Sequence, residues 1–89
     1  MIYDLIIIGG GPAGSAAAVY AARKRLNTLL ITSEFGGQSV VSETIYNWIG
    51  TVSIGGQELA DNLKKHVNSN AKNTENKDST LLILSLIHI

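Results

Sequence analysis

Apolar residues occur in short runs separated by glycine or polar residues, and this pattern predicts alternating strands and helices. The run 3–8 is almost continuously aliphatic, which is typical of a strand buried on both faces of a parallel sheet. Residues 28–32 form a second such run. Between them, the alanine-rich stretch from Pro12 to about Leu26 predicts a helix, with proline in its first turn and basic residues in its last. The chain is therefore predicted to begin with a βαβ unit.

The second half of the chain predicts one further helix and then changes character. This helix is expected to begin at Gly56 and to end at about Val67, because its apolar residues recur at helical spacing. They share one face and are Leu59, Ala60, Leu63 and Val67. The stretch 68–80 contains four asparagines and a single apolar residue, so it is expected to be a polar, linker-like segment. Residues 81–89 are almost wholly aliphatic.

Charge and cysteine content exclude several classes of function. Seven Lys and Arg balance seven Asp and Glu, so there is no electrostatic case for a nucleic acid or an anionic membrane as the main partner. The sequence contains no cysteine, which excludes a disulfide framework, a thiolate metal site and a catalytic thiol within these residues. The uncharged stretch 5–22 lacks a basic leader and is interrupted by glycines and a proline. Neither a signal peptide nor a membrane span is therefore predicted, and we expect a cytoplasmic protein.

A glycine motif lies between the first predicted strand and the first predicted helix. Residues 9–14 read Gly-Gly-Gly-Pro-Ala-Gly and fit the G-x-G-x-x-G pattern of dinucleotide-binding βαβ units. In that pattern Gly9 permits the tight turn, Gly11 lets a pyrophosphate approach the backbone, and Gly14 allows close packing of helix on strand. The phosphate charge then lies at the helix N-terminus, where N–H groups are free. A purely structural glycine turn is the alternative interpretation.

The same pattern requires an acidic residue near the end of the second strand, about 20 residues later, to bind a ribose hydroxyl. Glu34 lies 20 residues beyond Gly14 and fits this spacing. Thr32 and Ser33 stand directly at the predicted end of the strand. A solvated loop acid is therefore the alternative interpretation of Glu34.

Four further short motifs follow the glycine motif along the chain. They are Tyr20-Ala21-Ala22-Arg23, Gly36-Gly37-Gln38, Asn47-Trp48-Ile49-Gly50, and Gly56-Gln57-Glu58-Leu59 with its later His66. With these pieces in this order, residues 3–67 resemble the N-terminal FAD-binding segment of the thioredoxin reductase family, which includes the flavoprotein component of alkyl hydroperoxide reductase. The resemblance covers about three quarters of the chain.

The resemblance implies that the cofactor is FAD and that its binding residues form three groups. The residues that would line the pyrophosphate are Gly9, Gly11, Pro12, Ala13 and Gly14. Those that would lie near the adenosine ribose are Thr32, Ser33 and Glu34. Those that would approach the flavin half are Gly37, Gln38 and Asn47, the last of which has a turn-stabilising role as its alternative. Trp48 is expected to pack and His66 to lie on a helix face, and no catalytic residue and no metal ligand is predicted.

The resemblance also implies a fold class and an activity. We expect an α/β fold, the incomplete N-terminal βαβ portion of a Rossmann-like FAD/NAD(P)-binding domain. The implied activity is that of an FAD-dependent pyridine nucleotide-disulfide oxidoreductase, which passes electrons from NAD(P)H through FAD to a disulfide or another acceptor. NAD(P)H is expected to bind in a domain absent from this chain. A thioredoxin-like or peroxiredoxin-like protein is the implied redox partner, and the full-length protein is expected to be a homodimer.

These expectations divide the chain into three parts. Residues 1–67 are interpreted as the N-terminal part of the FAD-binding domain, 68–80 as the linker-like segment, and 81–89 as an apolar tail not native to the family. Residues 84–89 match the translation of CTG TCT CTT ATA CAC ATC, a transposon end used to tag DNA libraries, so we hypothesise that they derive from adapter sequence. A natural hydrophobic strand is the alternative.

Two other functions are compatible with the glycine motif. One is an NAD(P)-binding Rossmann dehydrogenase fragment, which the Gly-Gly-Gln and Asn-Trp-Ile-Gly segments do not favour. The other is an inactive, truncated chain without cofactor. The 89-residue chain is itself expected to be inactive. A third parallel strand is expected soon after the second helix, and the polar stretch 68–79 cannot supply it.

Overall fold

The structure is a computed structural model that describes residues 2–37 and 43–86. These residues contain two helices and five strands. The elements are β1 (Leu5–Gly10), α1 (Pro12–Arg23), β2 (Thr28–Phe35), β3 (Thr44–Ile45), β4 (Ile54–Gly55), α2 (Gly56–Asn70) and β5 (Leu81–Ser85). The α/β class and the initial βαβ unit predicted from the sequence are confirmed.

Several element ends differ from the sequence prediction. Strand β1 spans Leu5–Gly10 rather than 3–8, and α2 continues to Asn70, so 68–70 of the predicted linker-like segment are helical. Helix α1 ends at Arg23 and does not reach Leu26, because Arg25 adopts a positive φ of 59° that no helix can continue through. The amide of Leu26 donates to the carbonyl of Ala21 at 3.1 Å, which closes the helix end as left-handed caps do. Strand β2 continues beyond Thr32 to Phe35 and carries an irregularity described below.

The three longer strands form one parallel sheet in the order β1-β2-β5. Leu5 pairs with Thr28 on one edge of β2, and Leu81 pairs with Thr28 on the other. Neighbouring parallel strands have to be joined by a long crossover connection. Helix α1 is part of the crossover from β1 to β2, and α2 is part of the connection from β2 to β5. Strand β5 thus occupies the place of the third parallel strand that residues 68–79 could not supply. The short strands β3 and β4 form a separate antiparallel pair.

Both helices pack against one face of the parallel sheet. The buried core there consists of Ile7, Ala18, Val19, Leu30, Val67, Ala71 and Leu81. A second cluster, formed by Ile54, Leu59 and Leu63, lies beside the β3–β4 pair. Helix α2 contributes to both clusters, and its predicted apolar face is confirmed because all four residues of that face are buried.

The opposite face of the parallel sheet is apolar and largely uncovered by the described residues. Side chains alternate along strands, so Ile6, Leu29 and Leu82 form one row across this face. Ile8, Ile31 and Leu84 form the next row. Ile6 is 55 % exposed, Ile8 79 % and Leu84 41 %. Contiguous apolar surface of this kind favours association.

This face leads to a prediction for the 89-residue chain on its own. We expect it to elute above monomer size in size-exclusion chromatography, and Ile8→Thr to shift it toward the monomer, since threonine keeps the β-branched shape and removes apolar surface. Ile49→Thr is the matched control, because Ile49 is 95 % exposed but lies outside the sheet. A wild-type chain that stays monomeric at all concentrations, or an equal shift in both variants, would contradict the prediction.

The segment between α2 and β5 is polar, and it forms hydrogen bonds within itself and with Arg25 just beyond the end of α1. Asn73 Oδ1 accepts hydrogen bonds from the amides of Glu75 and Asn76. The guanidinium of Arg25 donates to the carbonyl of Asp78 at 2.9 Å. At 12 and 15 residues, neither of the two described helices is long enough to cross a membrane.

Candidate functional site

The first glycine turn joins the carboxyl end of β1 to the N-terminus of α1. Gly9 has a φ of +103°, a conformation that other residues rarely adopt. A Cβ on Gly14 would lie 1.9 Å from the carbonyl oxygen of Gly9, so α1 approaches β1 as closely as a residue without a side chain allows. Pro12 is the first residue of α1, and the helical ladder begins where the amide of Ser15 donates to Gly11 at 2.8 Å.

The N-terminus of α1 is suited to an anion. The first N–H groups of a helix have no partner within it, and the macrodipole places partial positive charge there. No side chain within 2–37 and 43–86 caps this end, and Gly11, the N-cap residue, presents only backbone. The arrangement therefore offers backbone donors to a phosphate.

A second glycine turn, Gly36–Gly37, lies directly against the first. The amide of Gly36 donates to the carbonyl of Gly10 at 2.9 Å. Among residues 2–37 and 43–86, a Cβ on Gly11 would meet Gly37 alone, at 3.8 Å from its Cα and 3.9 Å from its N. Gly36 and Gly37 both have positive φ, of 98° and 54°. Two turns that are 25 residues apart in the sequence therefore form one continuous backbone surface.

The carboxyl end of β2 lies beside these turns and is irregular. Ile8 pairs with Ile31 and Gly10 pairs with Phe35, so β2 has two more residues than β1 between the same two pairings. The residues of β2 between these two pairings, 32–34, therefore form a β-bulge, which is called the bulge below. Within the bulge Thr32 is 5 % exposed, whereas Ser33 and Glu34 are exposed.

Gly10 has a structural role that sequence analysis did not assign. A Cβ on Gly10 would lie 2.8 Å from Thr32 Oγ1 and 2.9 Å from the carbonyl oxygen of Glu34. Gly10 therefore has to be a glycine for the bulge to pack on β1. Gly10 occupies a position of the G-x-G-x-x-G motif at which any residue is allowed. The signal in the sequence was that glycine stands there as well, in a run of three.

An open cleft extends from the bulge toward α2. It is lined by Ser33 and Glu34 from β2, by Ser85 from β5, and by Gln57, Asp61 and Lys64 from α2. The cleft lies at the carboxyl ends of two parallel strands, which is where α/β sheets bind ligands. Glu34 is thus placed beside a ligand-sized opening, together with Thr32 and Ser33, and no described residue of the first glycine turn lines this opening.

The remaining predicted residues lie in different surroundings. Asn47 is exposed and follows β3. Trp48 packs against the cluster of Ile54, Leu59 and Leu63, so its predicted packing role is confirmed. His66 is exposed on α2, as predicted for a helix-face residue. Gln38 lies outside the described residues. Within residues 2–37 and 43–86, no three His, Cys, Asp or Glu side chains come together as a metal site.

Known proteins share this geometry and much of its sequence. The family model described as FAD dependent oxidoreductase matches residues 4–84. The F subunit of alkyl hydroperoxide reductase from Escherichia coli (strain K12) is 49 % identical over 65 residues, or 73 % of this chain. Thioredoxin reductase of Ureaplasma parvum is 46 % identical over 67 residues, or 74 % of the chain. The crystal structure of Lactococcus lactis thioredoxin reductase superposes on 94 % of the chain with a TM-score of 0.79 and 32 % identity.

The chain is much shorter than these proteins. It spans 12 % of the Escherichia coli protein, 22 % of the Ureaplasma parvum protein and 25 % of the Lactococcus lactis chain. The match to the family model extends over residues 4–84, which include the two glycine turns and the carboxyl end of β2.

Proposed function

Because this chain belongs to the FAD dependent oxidoreductase family, and is of the thioredoxin reductase type, we propose that its two glycine turns and the end of β2 bind FAD. The observation that supports this most directly is the contact between the turns. Gly11 and Gly37 face each other at the N-terminus of α1, and no side chain of the described residues lies between them. A dinucleotide needs such a bare backbone surface because its pyrophosphate must come within hydrogen-bond distance of main-chain N–H groups.

Each part of the cofactor is assigned to its own residues. The pyrophosphate is held by Gly11, Pro12 and Ala13 at the start of α1, and Gly9 and Gly14 give that turn its shape. The adenosine ribose lies near Thr32, Ser33 and Glu34 at the bulge, where the exposed carboxylate of Glu34 accepts hydrogen bonds from ribose hydroxyls. The flavin half is bound by Gly37, Gln38 and Asn47.

For the complete protein, we propose electron transfer from NAD(P)H to a disulfide or another redox acceptor. When bound, FAD supplies the hydride and electron chemistry, and the protein supplies binding and orientation. NAD(P)H binds in a domain outside this chain, and the acceptor is a thioredoxin-like or peroxiredoxin-like protein. The similar proteins are named as an alkyl hydroperoxide reductase component and a thioredoxin reductase, which supports acceptors of these classes. The complete protein is proposed to be a cytoplasmic homodimer.

The visible spectrum of the complete product of the gene tests this function. Purified protein should show flavin absorbance with about one FAD per chain. Anaerobic addition of NADH or NADPH should bleach that absorbance, and a disulfide substrate should restore it. A colourless protein that binds NAD(P)H without flavin would establish the dehydrogenase alternative. A protein that binds neither nucleotide would leave the chain without a cofactor function.

The flavin-side residues lead to a separate prediction. Gln38→Ala and Asn47→Ala should retain FAD but shift its absorbance maxima, since an amide hydrogen bond to the flavin affects its electronics more than its anchorage. One hydrogen bond is worth about 1 kcal/mol, so affinity should fall by less than about tenfold. Equilibrium dialysis and absorbance spectra measure both quantities. If either variant loses FAD completely, that residue anchors the cofactor and its assignment is wrong.

The origin of residues 84–89 is a proposal of its own. Their agreement with an adapter translation supports a non-native origin. The family model matches the chain as far as residue 84, so the proposal concerns the residues from there to the end. Sequencing the locus tests it, because a natural reading frame with other codons would contradict an adapter origin.

A further inference from the structure

The bulge in β2 contains one hydrogen bond that sets its shape. The hydroxyl of Thr32 donates to the carbonyl oxygen of Glu34 at 2.5 Å. Thr32 is 5 % exposed whereas Glu34 is exposed, so this hydrogen bond is partly buried, and a backbone carbonyl in such a place needs a hydrogen-bond partner. Thr32 supplies that partner from within the same strand, so the bulge carries its own donor.

The same bulge is packed against the backbone of the first glycine turn. Gly10 faces both atoms of the Thr32–Glu34 hydrogen bond, since a Cβ there would come within 3 Å of each. The carbonyl of Gly10 in turn accepts two hydrogen bonds, from Ser15 Oγ at 3.1 Å and from the amide of Gly36 at 2.9 Å. Gly10 thus connects the start of α1, the bulge and the second glycine turn.

We propose that Thr32 is a positioning residue that holds the second glycine turn in place opposite the first. Without its hydroxyl, the Glu34 carbonyl has to find another donor and the bulge relaxes. The residues that follow, Phe35 and Gly36, then lose their alignment with Gly10. The relevance of this alignment to FAD rests on the proposed function, because the space between Gly11 and Gly37 is where the cofactor backbone is expected.

Thr28 provides a matched control at the other end of β2. It is fully buried, and its hydroxyl donates to the carbonyl of Leu26 at 2.9 Å. Ser and Ala variants differ only in the hydroxyl, so comparing Thr32→Ser with Thr32→Ala isolates the contribution of that group. The comparison of Thr28→Ser with Thr28→Ala measures the same quantity for a buried strand hydroxyl outside the site.

The first measurement is the FAD dissociation constant of the complete gene product. Thr32→Ser should bind FAD within about twofold of wild type, and Thr32→Ala about tenfold more weakly, as expected for loss of one partly buried hydrogen bond. The two Thr28 variants should bind FAD equally well, even where their melting temperatures differ. Equal affinity of Thr32→Ser and Thr32→Ala, or an equal loss in the Thr28 pair, would overturn the proposal.

The second measurement needs no cofactor. Hydrogen exchange of the Gly36 amide, followed by NMR in the absence of FAD, should be about tenfold faster in Thr32→Ala than in Thr32→Ser. Unchanged exchange would overturn the positioning role. If the wild-type protein binds no FAD while the exchange difference is found, the proposed cofactor fails and the positioning of the turn stands. If Thr32→Ala does not fold while Thr28→Ala does, the bulge is a folding requirement and the proposal is overturned.

Discussion

Gly14→Ala is expected to disrupt the βαβ unit, with a loss of about 3 kcal/mol or more in the free energy of unfolding. The new Cβ would lie 1.9 Å from the carbonyl oxygen of Gly9 and 3.0 Å from its carbonyl carbon. Both atoms belong to the backbone of the glycine turn, so no side chain can rotate away. Helix α1 would have to move off β1, and the core contact of Ala18 with Ile7 lies on that interface.

Helix propensity alone predicts the opposite result. Alanine in place of glycine inside a helix normally stabilises it by about 1 kcal/mol. Gly11→Ala is the matched control, because Gly11 has an ordinary φ of −71° and a Cβ there comes no closer than 3.8 Å to any atom of the described part of the chain. Urea denaturation of the complete gene product, followed by circular dichroism, should show a large shift for Gly14→Ala and a shift below about 1 kcal/mol for Gly11→Ala. Similar midpoints for the two variants would show that α1 does not approach β1 as described.

Gly11→Val is expected to abolish FAD binding while leaving the protein folded. Its branched side chain would extend from a position 3.8 Å from Gly37 and fill the space between the two glycine turns. A pyrophosphate could then no longer reach the N-terminal amides of α1. We expect the affinity for FAD to fall by at least about a hundredfold, which corresponds to about 2.7 kcal/mol.

The control for this variant is Ala17→Val on the same helix. Ala17 is exposed, so the substitution adds the same branched shape away from the turns. Circular dichroism should show both variants folded, and absorbance at the flavin wavelengths should show FAD only in Ala17→Val. Equal flavin content in both would contradict the assignment of the glycine turn to the pyrophosphate.

The local sequence was sufficient to predict the first half of the fold. An aliphatic run stopped by glycines, a proline at a helix start and an alanine-rich stretch all act within a few residues, so β1, α1 and the start of β2 could be located. The apolar face of α2 was equally predictable because Leu59, Leu63 and Val67 recur at helical spacing. The candidate site could be found for the same reason, since the motif at 9–14 lies between a strand and a helix.

The exact form of the site could not be derived from local pattern. The extension of β2 to Phe35 depends on its pairing with Gly10, and the need for glycine at that position depends on Thr32 and Glu34 across the strand pair. The contact of the two glycine turns likewise joins residues that are distant in the sequence. Such contacts exist only once β1 and β2 lie side by side.

The sequence by itself determined which segments become strands and helices and where the glycine turn falls, because those features depend on neighbouring residues. Only the tertiary structure decided that residues 81–85 pair with the free edge of β2, since several registers suit an aliphatic run with no turn or motif of its own. Leu81 became fully buried because it packs with Leu30 and Val67 in the core under the helices. The bulge, the role of Gly10 and the position of the second glycine turn were settled in the same way, by the close approach of Gly10 to Thr32, Glu34 and Gly36 across the sheet.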